Sequence, residues 1–370
     1  MDNAKRILIA PLNWGLGHST RCIPIIRALL QQNYVPILAS DGAALALLQK
    51  EFPKLEWVEL PSYKIKYAKK GNHFKLKMIW DSPKVIKAIA REKKETKRLV
   101  KQLRLDGIIS DNRLGVYSKK VPSVFITHQL NVLTGNTSWM SSKAHQKIIK
   151  KFTSCWVPDL EGKPNLTGKL GHLKKPLSNV TYIGPLSRLK KTALPRIYDV
   201  MVLLSGPEPQ RTLLEKSLLA ELNHYTGRVL FVKGVMEEYQ KTKTIITDKA
   251  IITTYNYMTT AELQKAFNES GLILSRSGYT TVMDLAKLEK KAFFIPTPGQ
   301  YEQEYLAKRL EKNGIVPYCR QDEFAIEKLN SVANYTGLKN FETQLDYSLL
   351  FSAFSKVKEN SEPTSTTLST

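Results

Sequence analysis

The sequence predicts an α/β protein built as two doubly wound parallel sheets in tandem. Short apolar runs alternate with longer amphipathic stretches over most of its 370 residues, the pattern of parallel strands joined by helices. The alternation stops in a Pro- and Lys-rich segment, Gly184–Tyr198, and then begins again. Several apolar runs are followed by a small polar turn before the next amphipathic stretch. A chain of this length fits about two domains.

The elements follow in order. Ile7–Ala10 reads as a buried strand, and Thr20–Gln32 as a helix with Ile23, Ile26, Leu29 and Leu30 on one face. Val35–Ala39 is the next strand and Gly42–Lys50 the next helix. Strands at Gly107–Ser110, Val121–Thr127 and Ser154–Val157 continue the series. After the break come strand Val200–Leu204, helix Glu208–Leu222, and strands Arg228–Val232 and Ile251–Thr254. Helix Thr260–Phe267, strand Gly271–Leu274, helix Thr280–Leu288, strand Ala292–Ile295 and helix Tyr301–Lys312 complete the second set. Asp346–Val357 reads as a last helix. The division expected is a first domain over 1–185, a linker over 186–198, a second domain over 199–335, a helical segment over 336–357 and a Ser/Thr-rich disordered tail over 358–370.

Composition bounds the function. Hydrophobic residues make up 42% and charged residues 24%, ordinary for a globular chain with a sizeable core. No apolar run approaches the roughly 20 residues of a spanning helix. The start of the chain lacks a secretory pattern, and Cys22, Cys155 and Cys319 are too far apart for a metal-ligand motif. A cytoplasmic protein with buried thiols is expected. The charge is unusual: 56 Lys and Arg against 33 Asp and Glu give +23, which predicts an anionic partner. From Lys64 to Arg104 fifteen basic residues face three acids, interleaved with Tyr63, Tyr67, Phe74, Met78 and Trp80. One reading is a solvated helix face. The other is a surface for anionic lipid headgroups, on the inner face of the plasma membrane.

Three turns carry the candidate chemistry. The first, Asn13-Trp14-Gly15-Leu16-Gly17-His18-Ser19-Thr20-Arg21, joins the first strand to the first helix. Gly15 and Gly17 let backbone approach a ligand, and free amides at the helix start favour negative charge. The third glycine of a dinucleotide fingerprint is missing. His18, at the carboxyl end of a strand where open α/β sheets bind ligands, is a candidate general base; the alternative is a helix cap. The second turn, Arg276-Ser277-Gly278-Tyr279-Thr280, offers small side chains and bare amides to a diphosphate, with Asp284 one turn on as a partner for ribose hydroxyls. The third places Gln303 and Glu304 in the first turn of a helix after Pro296-Thr297-Pro298-Gly299, where they can bond sugar hydroxyls. Asp111-Asn112-Arg113 and Thr127-His128-Gln129 follow two further strands and suit an acceptor, although polar loops without a ligand explain them equally.

Together these motifs resemble the GT-B glycosyltransferases of family 28, the MurG-like transferases, in a branch with a GLGHxxR motif. The block RSGYTTVMDL followed by IPTPGQYEQEYLAKRLEKNGI is the most specific part, and Gly15-Leu16-Gly17-His18 resembles the family's Gly-rich N-terminal loop. The resemblance implies two Rossmann-like domains with a cleft between them, the nucleotide sugar on the second and the acceptor on the first. It implies that Ser277 and Gly278, with Thr280, hold the diphosphate and Asp284 the ribose, and that Ser205-Gly206-Pro207 lies beside the donor phosphates. Gln303 and Glu304 match a family Gln-Gln pair at the donor sugar, with glutamate a departure in second place. Asn13 and Trp14 stand where relatives have more glycine.

The reaction the resemblance implies is an inverting transfer of a sugar, an N-acetylhexosamine, from a UDP-sugar to a hydroxyl of an acceptor such as a lipid-linked or envelope glycan. His18, or failing it Asp111, removes the acceptor proton, and amides near Ser277, aided by Arg276 or Arg21, stabilise the departing diphosphate. Gly15, Gly17, Arg21, Asn112, Arg113, His128 and Gln129 form the expected acceptor and phosphate loops. No cofactor and no obligatory metal are expected, and no Asp-x-Asp motif is present. The rival readings are a UDP-sugar 2-epimerase of the same architecture and a non-catalytic polyanion-binding protein. No specific nucleic-acid partner is expected, since no nucleic-acid-binding motif is present.

Overall fold

The computed structural model describes residues 4–63, 83–133, 138–235, 237–341 and 345–355. Residues 64–82 of the basic segment and the whole of the expected tail lie outside them. In chain order the first half comprises β1 (Arg6–Pro11), α1 (Gly17–Gln31), β2 (Val35–Ser40), α2 (Gly42–Glu51), β3 (Trp57–Glu59), α3 (Pro83–Gln102), β4 (Gly107–Asp111), β5 (Ser123–Ile126), α4 (Ser138–Ile149), β6 (Ser154–Val157) and β7 (Val180–Tyr182). Its strands form one parallel sheet in the order β3-β2-β1-β4-β5-β6-β7.

The second half comprises β8 (Tyr198–Leu203), α5 (Gln210–Leu222), β9 (Gly227–Val232), β10 (Thr242–Ile246), β11 (Ala250–Tyr255), α6 (Thr260–Asn268), β12 (Ser270–Ser275), α7 (Tyr279–Lys287), β13 (Lys291–Phe294) and α8 (Tyr301–Lys312). Its sheet runs β10-β11-β9-β8-β12-β13, parallel except for the β10–β11 pair. Central strands such as β1 and β4 are buried along their length, as expected of a sheet covered on both faces. Helix α6 starts at a capping box in which Thr259 and Glu262 satisfy each other's backbone amides.

Residues 183–197 contain no helix or strand, yet Leu186 and Leu189 are buried, so the connection packs against the lobes rather than hanging free. The last element is shorter than expected. Helix α9 (Tyr347–Phe351) gives way to a 3-10 turn at Ser352–Phe354. This segment returns to the first sheet: Phe351 meets Tyr34 edge-on at 5.6 Å, Phe354 packs on Trp156 at 6.3 Å, and Lys5 Nζ donates to the Phe354 carbonyl at 2.9 Å. One apolar cluster contains residues from both sheets together with Phe351 and Phe354.

The strand order positions the site. In the first sheet β1, β4 and β5 are neighbours, which gathers the His18 turn, Asp111 and Thr127–Gln129 along one edge. In the second, β8, β12 and β13 are neighbours and gather Ser205–Gly206, Ser277–Thr280 and the loop before α8. Chain separations of over a hundred residues are thereby closed by two sheets.

Candidate active site

His18 is the second residue of α1, and Asp111 is the last residue of β4, in register with Pro11 of β1. That register brings His18 Nδ1 to 2.8 Å from Asp111 Oδ1. Arg21, one helical turn beyond His18, forks onto both carboxylate oxygens of Asp111. Its third nitrogen lies 3.1 Å from His128 Nδ1. Arg21 and Asp111 are fully buried, while His18 keeps part of its ring accessible.

The electrostatics set protonation. Burial works against the Asp111 charge, but Arg21 and then His18 hold its carboxyl down at about 2. Burial, with the Arg21 charge beside it, keeps the His18 imidazole below its ordinary value in spite of Asp111. Asp111 is therefore an obligate acceptor. Arg21 Nη2 lies 2.9 Å from His18 Nδ1 but already donates to Asp111, so we assign the Nδ1 proton of a neutral His18 to the Asp111 bond. His18 Nε2 then carries a free lone pair, the arrangement of a general base oriented by a carboxylate.

The second sheet presents two helix N-termini to this pair. Gly278 caps α7 with no side-chain bond to its first amides, and Thr280 stands against Gly17. A Cβ on Gly17 would lie 2.6 Å from Thr280 Oγ1, so glycine permits the close approach of α1 and α7. Gly15, at φ +70°, makes the turn into α1. The N-terminus of α8 completes the group. Uncapped amides at converging helix ends suit a polyanion. Gly206, at φ +105°, lies within 3.6 Å of Thr297 Oγ1 as a substituted Cβ, placing the Ser205–Gly206 turn beside the loop before α8.

The other residues singled out in the sequence divide. His128 and Gln129 belong to the cluster, and both bond Glu302 at the start of α8, His128 Nε2 at 3.1 Å. His128 also stacks on Tyr279, with centroids 4.3 Å apart and the rings 13° from parallel, while the Tyr279 hydroxyl donates to the Pro158 carbonyl at 2.5 Å. Asp284 accepts from Ser187 Oγ at 2.5 Å, and burial raises its carboxyl to about 6 despite Ser187 and Arg188. Ser277 Oγ donates to the Gln303 carbonyl at 2.8 Å, tying α7 to α8.

Four residues take other tasks than those expected. Arg113 is fully buried, paired with Asp41 and, at 2.8 Å, with Glu92 of α3. It braces α3 against the sheet and offers nothing to an acceptor. Its neighbour Asn112 adopts φ +56° at the strand end. Arg276 is also buried and donates to the carbonyls of Ile295, Pro296 and Gln210 and to Gln321 Oε1. It supports the turns from beneath and does not face the amides of α7. Gln303 Oε1 accepts from Thr297 N at 2.8 Å and Glu304 Oε1 from Gly299 N at 2.9 Å, so both hold their own loop in place. Glu302 and Tyr279 were missed; their signal, a carboxylate and an aromatic in first helical turns, is too common to select them.

Two Rossmann-like sheets facing each other across helix N-termini define the GT-B fold. The solved structures agree on fold. Acinetobacter baumannii MurG superposes with a TM-score of 0.54 at 14% identity, covering 96% of each chain. The glycosyltransferase SnogD from Streptomyces nogalater gives 0.60 at 12% identity and the same coverage.

Residues 207–343 match the glycosyltransferase family 28 C-terminal domain. The chain's relatives include the UDP-N-acetylglucosamine--N-acetylmuramyl-(pentapeptide) pyrophosphoryl-undecaprenol N-acetylglucosamine transferase of Buchnera aphidicola subsp. Schizaphis graminum. That match is 25% identical and spans 60% of this chain and 59% of the relative's length. The transferase of the same name from Glaesserella parasuis is 22% identical over 88% of each chain.

Proposed function

We propose that the protein is an inverting glycosyltransferase that moves an N-acetylhexosamine from a UDP-sugar to a hydroxyl of a lipid-linked or envelope-glycan acceptor. The observation that carries this is the His18–Asp111 pair set beside the uncapped N-terminus of α7, where Gly17 meets Thr280. In the proposed step the acceptor hydroxyl gives its proton to His18 Nε2 as its oxygen bonds the anomeric carbon. The bond from that carbon to the diphosphate oxygen breaks, and UDP leaves with the electron pair. The first amides of α7 and α8 meet the charge that grows on the diphosphate. Ser277 and Gly278 shape that cradle, Thr280 lines it, and Asp284 takes the ribose.

The relatives' names, which specify UDP-N-acetylglucosamine chemistry and a pyrophosphoryl-undecaprenol acceptor, support this reading. With helix N-termini already at the site, we propose that no metal is required. Among the described residues no three His, Cys, Asp or Glu side chains are grouped to hold one, and none of the described helices is long and apolar enough to cross a membrane.

We further propose that the basic segment Lys64–Arg104 seats the protein on an anionic membrane. Its described part, α3, buries Val85, Ala88, Thr96 and Leu99 and exposes Lys87, Arg91, Lys94 and Lys97 with Ile86. Incubation with UDP-N-acetylglucosamine, a bacterial lipid extract and EDTA should release UDP and yield a β-linked product from the α-linked donor. Release only on adding metal, or an α-linked product, would overturn this reading.

A further inference from the structure

One face of α8 is bonded to the first lobe. Glu302, Tyr305 and Arg309 recur at intervals of three and four residues, so they line one side of the helix, and each bonds across the lobes. Arg309 Nη2 donates to Asn165 Oδ1 at 2.8 Å and to the Asn165 carbonyl at 3.2 Å. The Tyr305 hydroxyl accepts from Lys169 N at 2.9 Å, and Lys169 Nζ lies 4.9 Å from the centre of its ring. Gly168, at φ +52°, comes so close between these contacts that a Cβ there would lie 2.5 Å from the Tyr305 hydroxyl. Tyr305 and Arg309 therefore fix where α8 seats, and Glu302 reaches the His18–Asp111 cluster.

From Glu302 the hydrogen bonds run to that pair without a break. Its carboxylate accepts from Gln129 Nε2 and, at 3.1 Å, from His128 Nε2. A guanidinium only donates. His128 Nδ1, 3.1 Å from Arg21 Nη1, is thus the acceptor there, and the His128 ring proton goes to Glu302. Arg21 forks onto Asp111, which accepts from His18 Nδ1. The His128 ring also stacks on Tyr279, so the second lobe holds it twice. Burial opposes the Glu302 charge, but His128 first, then His18 and Arg21, keep its carboxyl below the ordinary range. The charged or titratable groups around it are those three from the first lobe and Tyr279 from α7.

We propose that Glu302 is a positioning residue of the transfer, a carboxylate on the second lobe that orients His128 and Arg21 and, through them, the His18–Asp111 pair. The chain of bonds is complete only when the lobes are docked as they are here. With Nη1 engaged by His128, the Arg21 fork stays on Asp111 instead of turning toward His18 Nδ1, which Nη2 already approaches to 2.9 Å. The negative charge also favours the imidazolium that forms on His18 as the acceptor proton arrives. The inference rests on the assignment of His18 as the base, and adds to it a residue from the other lobe.

The test compares the full chain with Glu302→Gln, which keeps the shape and loses the charge, and with Glu302→Asp, which keeps the charge on a shorter stem. In Glu302→Gln kcat should fall about 10- to 100-fold, the scale of a misplaced reacting group, while donor KM and UDP binding stay within a few-fold of wild type. The acid limb of kcat should move to lower pH, because a charge that favours protonated His18 is gone. Glu302→Asp should recover part of both changes. Titration of the His18 ring, followed by NMR in the chain without substrate, should move in the same direction. An unmoved His18 titration in Glu302→Gln would overturn the proposal whatever the kinetics. So would a kcat within twofold of wild type, or a loss confined to the donor KM, which would make Glu302 a contact of the sugar. If the wild type transfers no sugar while Glu302→Gln still moves the His18 titration, the coupling stands and the reaction proposed for it falls.

Discussion

Replacing His18 by alanine should lower transfer by about 100- to 10,000-fold, the usual contribution of a positioned general base, while UDP binding stays within a few-fold of wild type. The residue supplies no apolar core, and its Nδ1 bond to Asp111 is one of several that Asp111 accepts. The loss should therefore fall on kcat rather than on the donor KM. The pH profile gives a second check. A base whose pKa is held below the ordinary imidazole value is already deprotonated at neutral pH. The acid limb of kcat should lie below that ordinary value and disappear in the variant. Equal losses of donor binding and turnover would contradict a base and point to a structural role.

The second large effect concerns stability. Asp111→Asn removes the carboxylate that Arg21 pairs with, leaving a guanidinium buried at the end of β4 beside His18 and His128, with Glu302 as the remaining nearby carboxylate. Breaking a buried pair by removing one partner costs about 3–5 kcal/mol. Urea unfolding should show that loss, and turnover should fall as well because His18 loses the group that orients it. The same pair predicts acid sensitivity. The Asp111 pKa falls from 3.8 to about 2 on folding, so the folded state binds fewer protons than the unfolded chain. The stabilisation, about 2 kcal/mol, is present above the unfolded value and is lost as pH falls through the folded one. In Asp111→Asn this step should be missing from the acid-unfolding curve. A variant within about 1 kcal/mol of wild type would mean that Arg21 finds its counter-charge elsewhere.

Much of the architecture was legible because buried parallel strands are written as apolar runs. β1, β2, β4, β8 and β12 lie where such runs predict them. The elements passed over are those whose residues do not obey that rule. β10, Thr-Lys-Thr-Ile-Ile, is an edge strand exposed along most of its length, and β3 and β7 are three-residue edges. Helix α4 hides serines and a histidine and shows its tryptophan, so its periodicity has no apolar stripe to find. In the site, the turns after β1, β12 and β13 could be named from small and polar residues at strand ends.

What a linear pattern does not contain is direction. Arg276 and Arg113 look like ligand-binding cations in sequence, but the sheet order places carbonyls or carboxylates around each, and both turn inward. Gln303 and Glu304 sit where amides of their own loop need acceptors, and bond those. Glu302, one residue earlier on α8, faces His128 and Gln129 of the other lobe instead. Only the docking of two sheets reveals that contact, since the partners are 173 and 174 residues away.

Whether the second lobe holds a UDP-sugar on the amides of α7, with Asp284 at the ribose, is decided by the melting temperature of the full chain. It is measured with and without UDP, in EDTA, for wild type and Asp284→Ala. A ligand that binds only the folded state raises that temperature by mass action, about 2.7 kcal/mol of stabilisation at a hundred times Kd. A clear rise with UDP and UDP-N-acetylglucosamine is expected in the wild type, a smaller one or none with ADP, and loss of the rise in the variant. No shift with any nucleotide in the wild type, or an undiminished UDP shift in Asp284→Ala, would contradict a donor site there.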